Sequence, residues 1–181
     1  MILPLLPLKG TVVFPQSTVP LAIGHERSIQ LVEDAASAGR FLVTAASREG
    51  APADPGWDDI YDIGTLARLR KLLRLDDGTL RILVEGIARV KLERPLAVAP
   101  YLVGDFEALP DHAADELARV ADLHLLNAAE SQRVLEAASP EQRAQLVAAI
   151  VRREVGCARL LQPAARGAAY AVSGLPVTPP V

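Results

Sequence analysis

The 181-residue sequence predicts an α+β chain, in which a strongly curved antiparallel β lobe with one inserted helix precedes a small helical lobe. Three observations carry this reading. Apolar and polar residues alternate with period two over positions 80 to 92, the composition shifts at Pro110, and apolar residues recur at helical spacing beyond it. The expected division is a β-rich lobe over residues 1–110, a helical subdomain over 111–162, and a Pro, Gly and Ala-rich tail, poorly ordered, over 163–181.

In chain order, ILPLLPL at positions 2 to 8 is apolar but holds Pro4 and Pro7, which donate no ladder hydrogen bonds, so it suits an edge or bulged strand. TVVF at 11 to 14 is a short β-branched stretch stopped by Pro15, and Pro20 and Gly24 punctuate a loop after it. HERSIQLVEDAASAG places Ile29, Val32 and Ala36 at helical spacing, with Gly39 as the stop. RFLVTAAS at 40 to 47 is a continuous apolar run of strand length, as a strand covered on both faces requires. EGAPADPGWDD reads as loop, and YLVGDFEAL at 101 to 109 as the last strand.

The most informative passage is the hairpin between Gly64 and Glu93. Leu80, Ile82, Val84, Gly86, Ala88, Val90 and Leu92 occupy even positions, whereas Arg81, Glu85, Arg89, Lys91 and Glu93 are odd; a bend is expected at Gly86. In the first arm Ala67, Leu69, Leu73 and Leu75 form the apolar set. Odd residues must then face even ones, which a two-residue Asp77-Gly78 turn achieves. That register sets Leu75 against Leu80, Leu73 against Ile82, Ala67 against Ala88 and Arg70 against Glu85. It also sets Arg74 against Arg81, a like-charge pair costing up to roughly 1 kcal/mol.

Beyond Pro110, Leu117, Val120, Ala121, Leu125 and Ala128 form an apolar helical stripe. Ser139-Pro140-Glu141-Gln142 reads as an N-cap, a first-turn proline and a capping-box partner, opening a second helix that runs to about Gly156.

Composition excludes several classes. The chain carries a formal net charge of -3 with 50% hydrophobic and 4% aromatic residues, which provides no electrostatic basis for nucleic-acid or membrane binding. One cysteine, Cys157, makes neither an internal disulfide nor, by itself, a metal site, and a reducing, cytoplasmic setting follows. Pro, Arg or Asp interrupts every apolar run short of the eighteen or so residues of a membrane span. MILPLLPLKG, with two prolines and no preceding basic residue, is not a signal peptide.

No nucleophile elbow, zinc helix, phosphate loop or dinucleotide fingerprint occurs. His25, His112 and His124 stand apart from one another, and Lys9, Lys71 and Lys91 have no serine close by in sequence for a dyad. Asp58, Asp59 and Asp62 lack the spacing of a calcium loop and read as a solvated turn. No catalytic residue, metal or cofactor is therefore expected; Cys157 with His124 is the one pair that a hydrolase reading would use. Arg68, Arg70, Arg74, Arg81 and Arg89 make the outer hairpin face basic, but without the interleaved aromatics that stack on bases. What remains is an apolar surplus in proline-bearing loops. Phe14, Pro15, Val19, Pro20 and Leu21 are partly core by composition, and two prolines holding apolar side chains in an extended run also suit a surface for exposed hydrophobic segments.

The segments LPLLPLKGTVVFPQSTVPLAIGHERSIQLVEDA, DIYDIGTLARL and LDDGTLRILVEGIARVKL closely resemble the start of the ATP-dependent Lon proteases. Matching positions include Leu6, Pro7, Leu8, Phe14, Pro15, Pro20, Gly24, Arg27, Ser28, Gly64, Thr65, Asp77, Gly78, Thr79, Val84, Glu85, Gly86 and Arg89. The resemblance implies a PUA-like pseudo-barrel followed by a helical part. It further implies recognition of unfolded or damaged proteins, a homo-oligomeric hexamer, and partnership with Lon ATPase and protease modules. The Walker loop and Ser-Lys dyad of those modules are not in this chain, so the resemblance is to the N-terminal domain and carries over no catalytic residue. Because PUA-like folds include RNA binders, a stand-alone RNA-binding module is the alternative.

Overall fold

The computed structural model describes residues 1–109 and 126–161. Six strands are present: β1 (Ile2–Leu8), β2 (Thr18–Ile23), β3 (Phe41–Ala46), β4 (Ile63–Arg74), β5 (Leu80–Ala97) and β6 (Val103–Ala108). Helix α1 (Glu26–Ser37) lies between β2 and β3, and α2 (Ala128–Glu136) and α3 (Pro140–Leu161) follow the sheet. The expected α+β class therefore holds. The sheet order is β2-β5-β4-β3-β1-β6, and β6 also pairs with β5, which curls the sheet into a pseudo-barrel. Every pairing is antiparallel except β1 with β3, which departs from the purely antiparallel lobe the sequence suggests.

The 18-residue β5 makes closure possible. One of its edges runs along β4, and the other is divided between β2, over Leu80 to Glu85, and β6, from Val90 onward. Two apolar clusters result. One holds Leu6, Leu8, Leu21, Ile23, Leu42, Leu69, Leu80, Ile82 and Val84 under Leu31 and Val32 of α1. The other holds Leu5, Val43, Ala45, Val90, Leu102 and Phe106, with Trp57 beside it. Neighbouring residues of β3 thus serve opposite clusters, which explains the continuous apolar run there.

The hairpin differs from its expected register. Leu75 N–H donates to Thr79 O and Gly78 N–H to Leu75 O, with Gly78 at φ +84°, so the loop contains three residues, Asp76, Asp77 and Gly78. Leu72 therefore faces Ile82, Leu73 faces Arg81, and Arg74 faces Leu80. Bulges between Leu69 and Lys71 and between Leu66 and Ala67 take up the difference, and Ala67 pairs with Gly86 rather than Ala88. The anticipated Arg70–Glu85 ion pair forms at 2.7 Å, but Arg74 bonds to Glu33 of α1 instead of opposing Arg81.

Residues 11–14 form no strand; the strand lies at β2, where the prolines suggested loop. Pro20 is compatible with it because β2 ends the sheet order and, among the described residues, pairs only with β5. Helix α3 runs through Gly156 to Leu161, past its expected end, since a lone glycine among good helix formers costs only about 1 kcal/mol. At its start Gln142 N–H donates to Ser139 Oγ, as expected of the N-cap. The expected stripe at Leu117, Val120, Ala121 and Leu125, the residues His112 and His124, and the tail over 163–181 lie outside the described residues.

Candidate functional site

The five apolar residues singled out by sequence do not converge on one surface. Phe14 is 3% exposed and packs with Val134 and Leu135 of α2, with Leu146 and Ile150 of α3 alongside. Pro15 and Leu21 are also buried, and Val19 is half-buried against the α1 side of the sheet. Only Pro20 is exposed.

Phe14 belongs to a junction between the barrel and the helices. Its backbone is held in a tight turn, with Ser17 Oγ donating to Phe14 O at 2.7 Å and Gln16 at φ 61°. The turn leans on β5 so closely that a Cβ on Gly86 would sit 2.1 Å from Phe14 O, which requires glycine there. Thr65 Oγ1 donates to Val13 O at 2.7 Å from the neighbouring strand. Arg89, expected on the solvated face, is instead 3% exposed and donates to Leu135 O at 2.7 Å and Ala137 O at 3.0 Å. It thereby satisfies carbonyls that the end of α2 leaves without helical donors. Gln132 Nε2 donates to Ile63 O at 2.9 Å, a second polar tie between helix and sheet.

Pro20 belongs to the opposite, outward face. Across the ladder it meets Leu83, and one row on, Ala22 meets Arg81, which meets Leu73. Leu73 is 60% exposed, so Pro20, Ala22, Leu83 and Leu73 form an apolar strip among Lys71, Arg81 and Glu85. Sequence reasoning placed Leu73 in the core and passed over Leu83. The available signal was Leu83 itself, an apolar residue at an odd, outward position among Arg81, Glu85 and Arg89.

Beside this strip a cleft of about 350 Å³ separates β1 from β2. Leu6, Leu8, Leu21, Ile23 and Leu31 line it, with Lys9 and His25 at its border. Arg27 spans one end, bonding to Asp54 and donating to Pro100 O at 3.1 Å. The acidic loop is structural: Asp59 Oδ2 accepts from Gly56 N–H, and among the described residues no group of three potential ligands is placed to hold a metal ion.

Residues 2–125 match the model of the family described as the ATP-dependent protease La (LON) substrate-binding domain. The chain belongs to this Lon family. A Lon protease of Desulforamulus reducens is 48% identical over 99 residues, covering 55% of this chain and 12% of that protein. One from Desulfovibrio desulfuricans is 31% identical over 195 residues, covering 84% and 22%. Among solved structures, a Lon N-terminal domain protein from Xanthomonas campestris aligns with a TM-score of 0.60 at 22% identity, covering 82% of this chain and 98% of that one. The N-terminal domain of a Mycobacterium avium complex Lon protease aligns at 0.50 and 22%, covering 84% and 75%. These two likenesses show the fold. What matches is the Lon substrate-binding domain, not the ATPase or protease domains, and the chain spans only 12% and 22% of the two relatives' lengths. Among the described residues no helix is long and apolar enough to cross a membrane.

Several of the Lon-like positions fall at the junction. Phe14, Thr65, Gly86 and Arg89 meet there, whereas Pro20 alone of the five proposed site residues reaches the surface.

Proposed function

We propose that this Lon domain binds exposed apolar segments of unfolded or damaged proteins and performs no chemistry itself. The observation that carries this reading is the outward strip of Pro20, Ala22, Leu83 and Leu73, held on a rigid three-stranded edge. In this scheme Pro20 makes contact, while Phe14, Pro15, Val19 and Leu21 act from beneath by fixing the course of β2. Binding is weak per site, because ordering a flexible segment opposes the gain from burying its side chains. Repetition around a hexamer attached to ATPase and protease modules in the cytoplasm raises the effective concentration and makes weak contacts sufficient.

The RNA alternative needs a free basic face. Here Arg70 and Arg74 are tied to Glu85 and Glu33, Arg68 stacks over Phe41 at 5.4 Å from its ring centre, and Arg89 is buried. These arrangements favour the protein-binding reading. The test is a titration of the chain with a reduced, carboxymethylated model protein and with its native disulfide-bonded form. Tighter binding of the unfolded form is expected, and equal binding to both would refute the proposal.

A further inference from the structure

The cleft between β1 and β2 is bordered by two strand edges with free hydrogen-bonding groups. Gly86 N–H donates to Ser17 O, and the pairing continues with Val19 opposite Val84, Leu21 opposite Ile82 and Ile23 opposite Leu80. In an antiparallel ladder alternate residues turn their backbone groups to alternate sides, so Val19, Leu21 and Ile23 face β5. Thr18, Pro20 and Ala22 therefore direct theirs away from it, and among the described residues no strand pairs with β2 on that side. Across the cleft, Leu8 O accepts from Ser47 N–H and Leu5 N–H donates to Leu102 O. By the same alternation Pro7 presents its nitrogen side to the cleft, between Leu5 and Lys9.

Both strands thus place a proline where a donor would otherwise face the opening. An edge carrying proline is a poor template for another copy of itself. It still offers an incoming chain the N–H groups of Thr18 and Ala22 and the carbonyls of Thr18, Pro20 and Ala22.

We infer that the free edge of β2 takes an extended segment of unfolded polypeptide as an added strand. This rests on the recognition reading above and states how the segment is held. Backbone hydrogen bonds to Thr18 and Ala22 would give affinity that does not depend on sequence, as a receptor for non-native chains requires. Alternate side chains of the added strand would point to opposite faces. One set enters the cleft against Leu6, Leu8, Leu21 and Leu31, and the other extends the outward strip beside Pro20 and Ala22. The occupant is therefore a segment apolar at successive positions. Lys9, which lines the cleft, disfavours lysine or arginine beside it in the segment.

The inference reverses what side-chain contact alone would give at Pro20. Pro20→Ala removes apolar surface but restores an edge N–H, so it should tighten binding of reduced, carboxymethylated α-lactalbumin, whereas Ala22→Pro removes a donor and should weaken it about tenfold. In the unsubstituted chain, hydrogen exchange of the Thr18 and Ala22 amides should slow at least about tenfold when the probe is added. This last measurement does not depend on any variant folding. If the probe binds but those two amides exchange unchanged, strand addition is overturned while recognition stands. If the unfolded probe does not bind the unsubstituted chain, both readings fail. Protection that instead grows with protein concentration, without the probe, would identify a second copy as the occupant and overturn the inference.

Discussion

The junction around Phe14 and the strip beside Pro20 are close neighbours in sequence, yet they use proline and apolar residues in opposite ways. At the junction, Phe14 is buried against α2 beside the buried Pro15, and Arg89 and Gln132 tie the helix to the sheet through backbone carbonyls. At the strip, Pro20 and Leu73 are exposed, and among the described residues no helix covers them. The comparison teaches that residues carrying a family likeness need not be those that touch a ligand. Here Gly86 and Arg89 fit a packing requirement, a close backbone approach and a helix end, whereas the proposed contact with a partner falls to Pro20, Leu73 and Leu83.

The sharpest way to break this distinction is at Phe14. Phe14→Ala empties the centre of the junction and should cost about 3–5 kcal/mol in a urea titration. A loss of under about 1 kcal/mol would mean that Phe14 is not core. Arg89→Met keeps the bulk but removes the bonds donated to Leu135 O and Ala137 O, of which Ala137 O retains Arg143 Nη1. About 2–3 kcal/mol should be lost, with faster amide exchange in α2 and little change in β3. Exchange rising equally in both would show that the arginine supports the whole barrel rather than the junction.

A smaller effect is expected from pH. The Arg153 guanidinium, 2.5 Å from Glu130, and the Asn127 N–H that donates to Glu130 Oε2 at 3.2 Å hold the Glu130 carboxyl below the usual range. Its folded value is depressed, so the stability it contributes is present above the unfolded carboxylate value of about 4.3. That contribution is lost as pH falls through the folded value. Comparing urea midpoints between about pH 6 and pH 3, Glu130→Gln should flatten part of the acid slope. An unchanged slope would remove Glu130 from the account. The smallest change belongs to the hairpin tip. Gly78→Ala at φ +84° should cost about 1 kcal/mol or slightly more, against no measurable cost if the turn relaxes.

Much of the barrel was readable from alternation and turn chemistry. The arms of the β4–β5 hairpin, the α1 stop at Gly39 and the doubly covered β3 all follow from local rules. The exceptions have physical causes. Periodicity does not register a bulge, so the one-residue difference made by a three-residue loop at Asp76 to Gly78 carried Leu73 from the expected core face to the solvent face. Strand β2 was hidden because proline signals loop unless its free side is known, and that depends on where β5 runs. That Phe14 is partly core was legible by composition, but its partners were not: Val134 and Leu135 lie far along the chain and meet it only in the fold. Of the site, Pro20 was legible by its chemistry, whereas Leu83 and Leu73 needed the register.

Separation of the two regions is tested most directly at the strip. The affinity of Leu73→Ser/Leu83→Ser for the unfolded probe should be measured by titration together with the urea midpoint. These side chains lie on the outward face, so the unfolding free energy from the urea titration should stay within about 1 kcal/mol of the parent. Affinity should fall about tenfold, the effect of losing roughly 50–60 Å² of apolar contact. Unchanged affinity in a chain of unchanged stability would contradict the claim that unfolded proteins are met on this face.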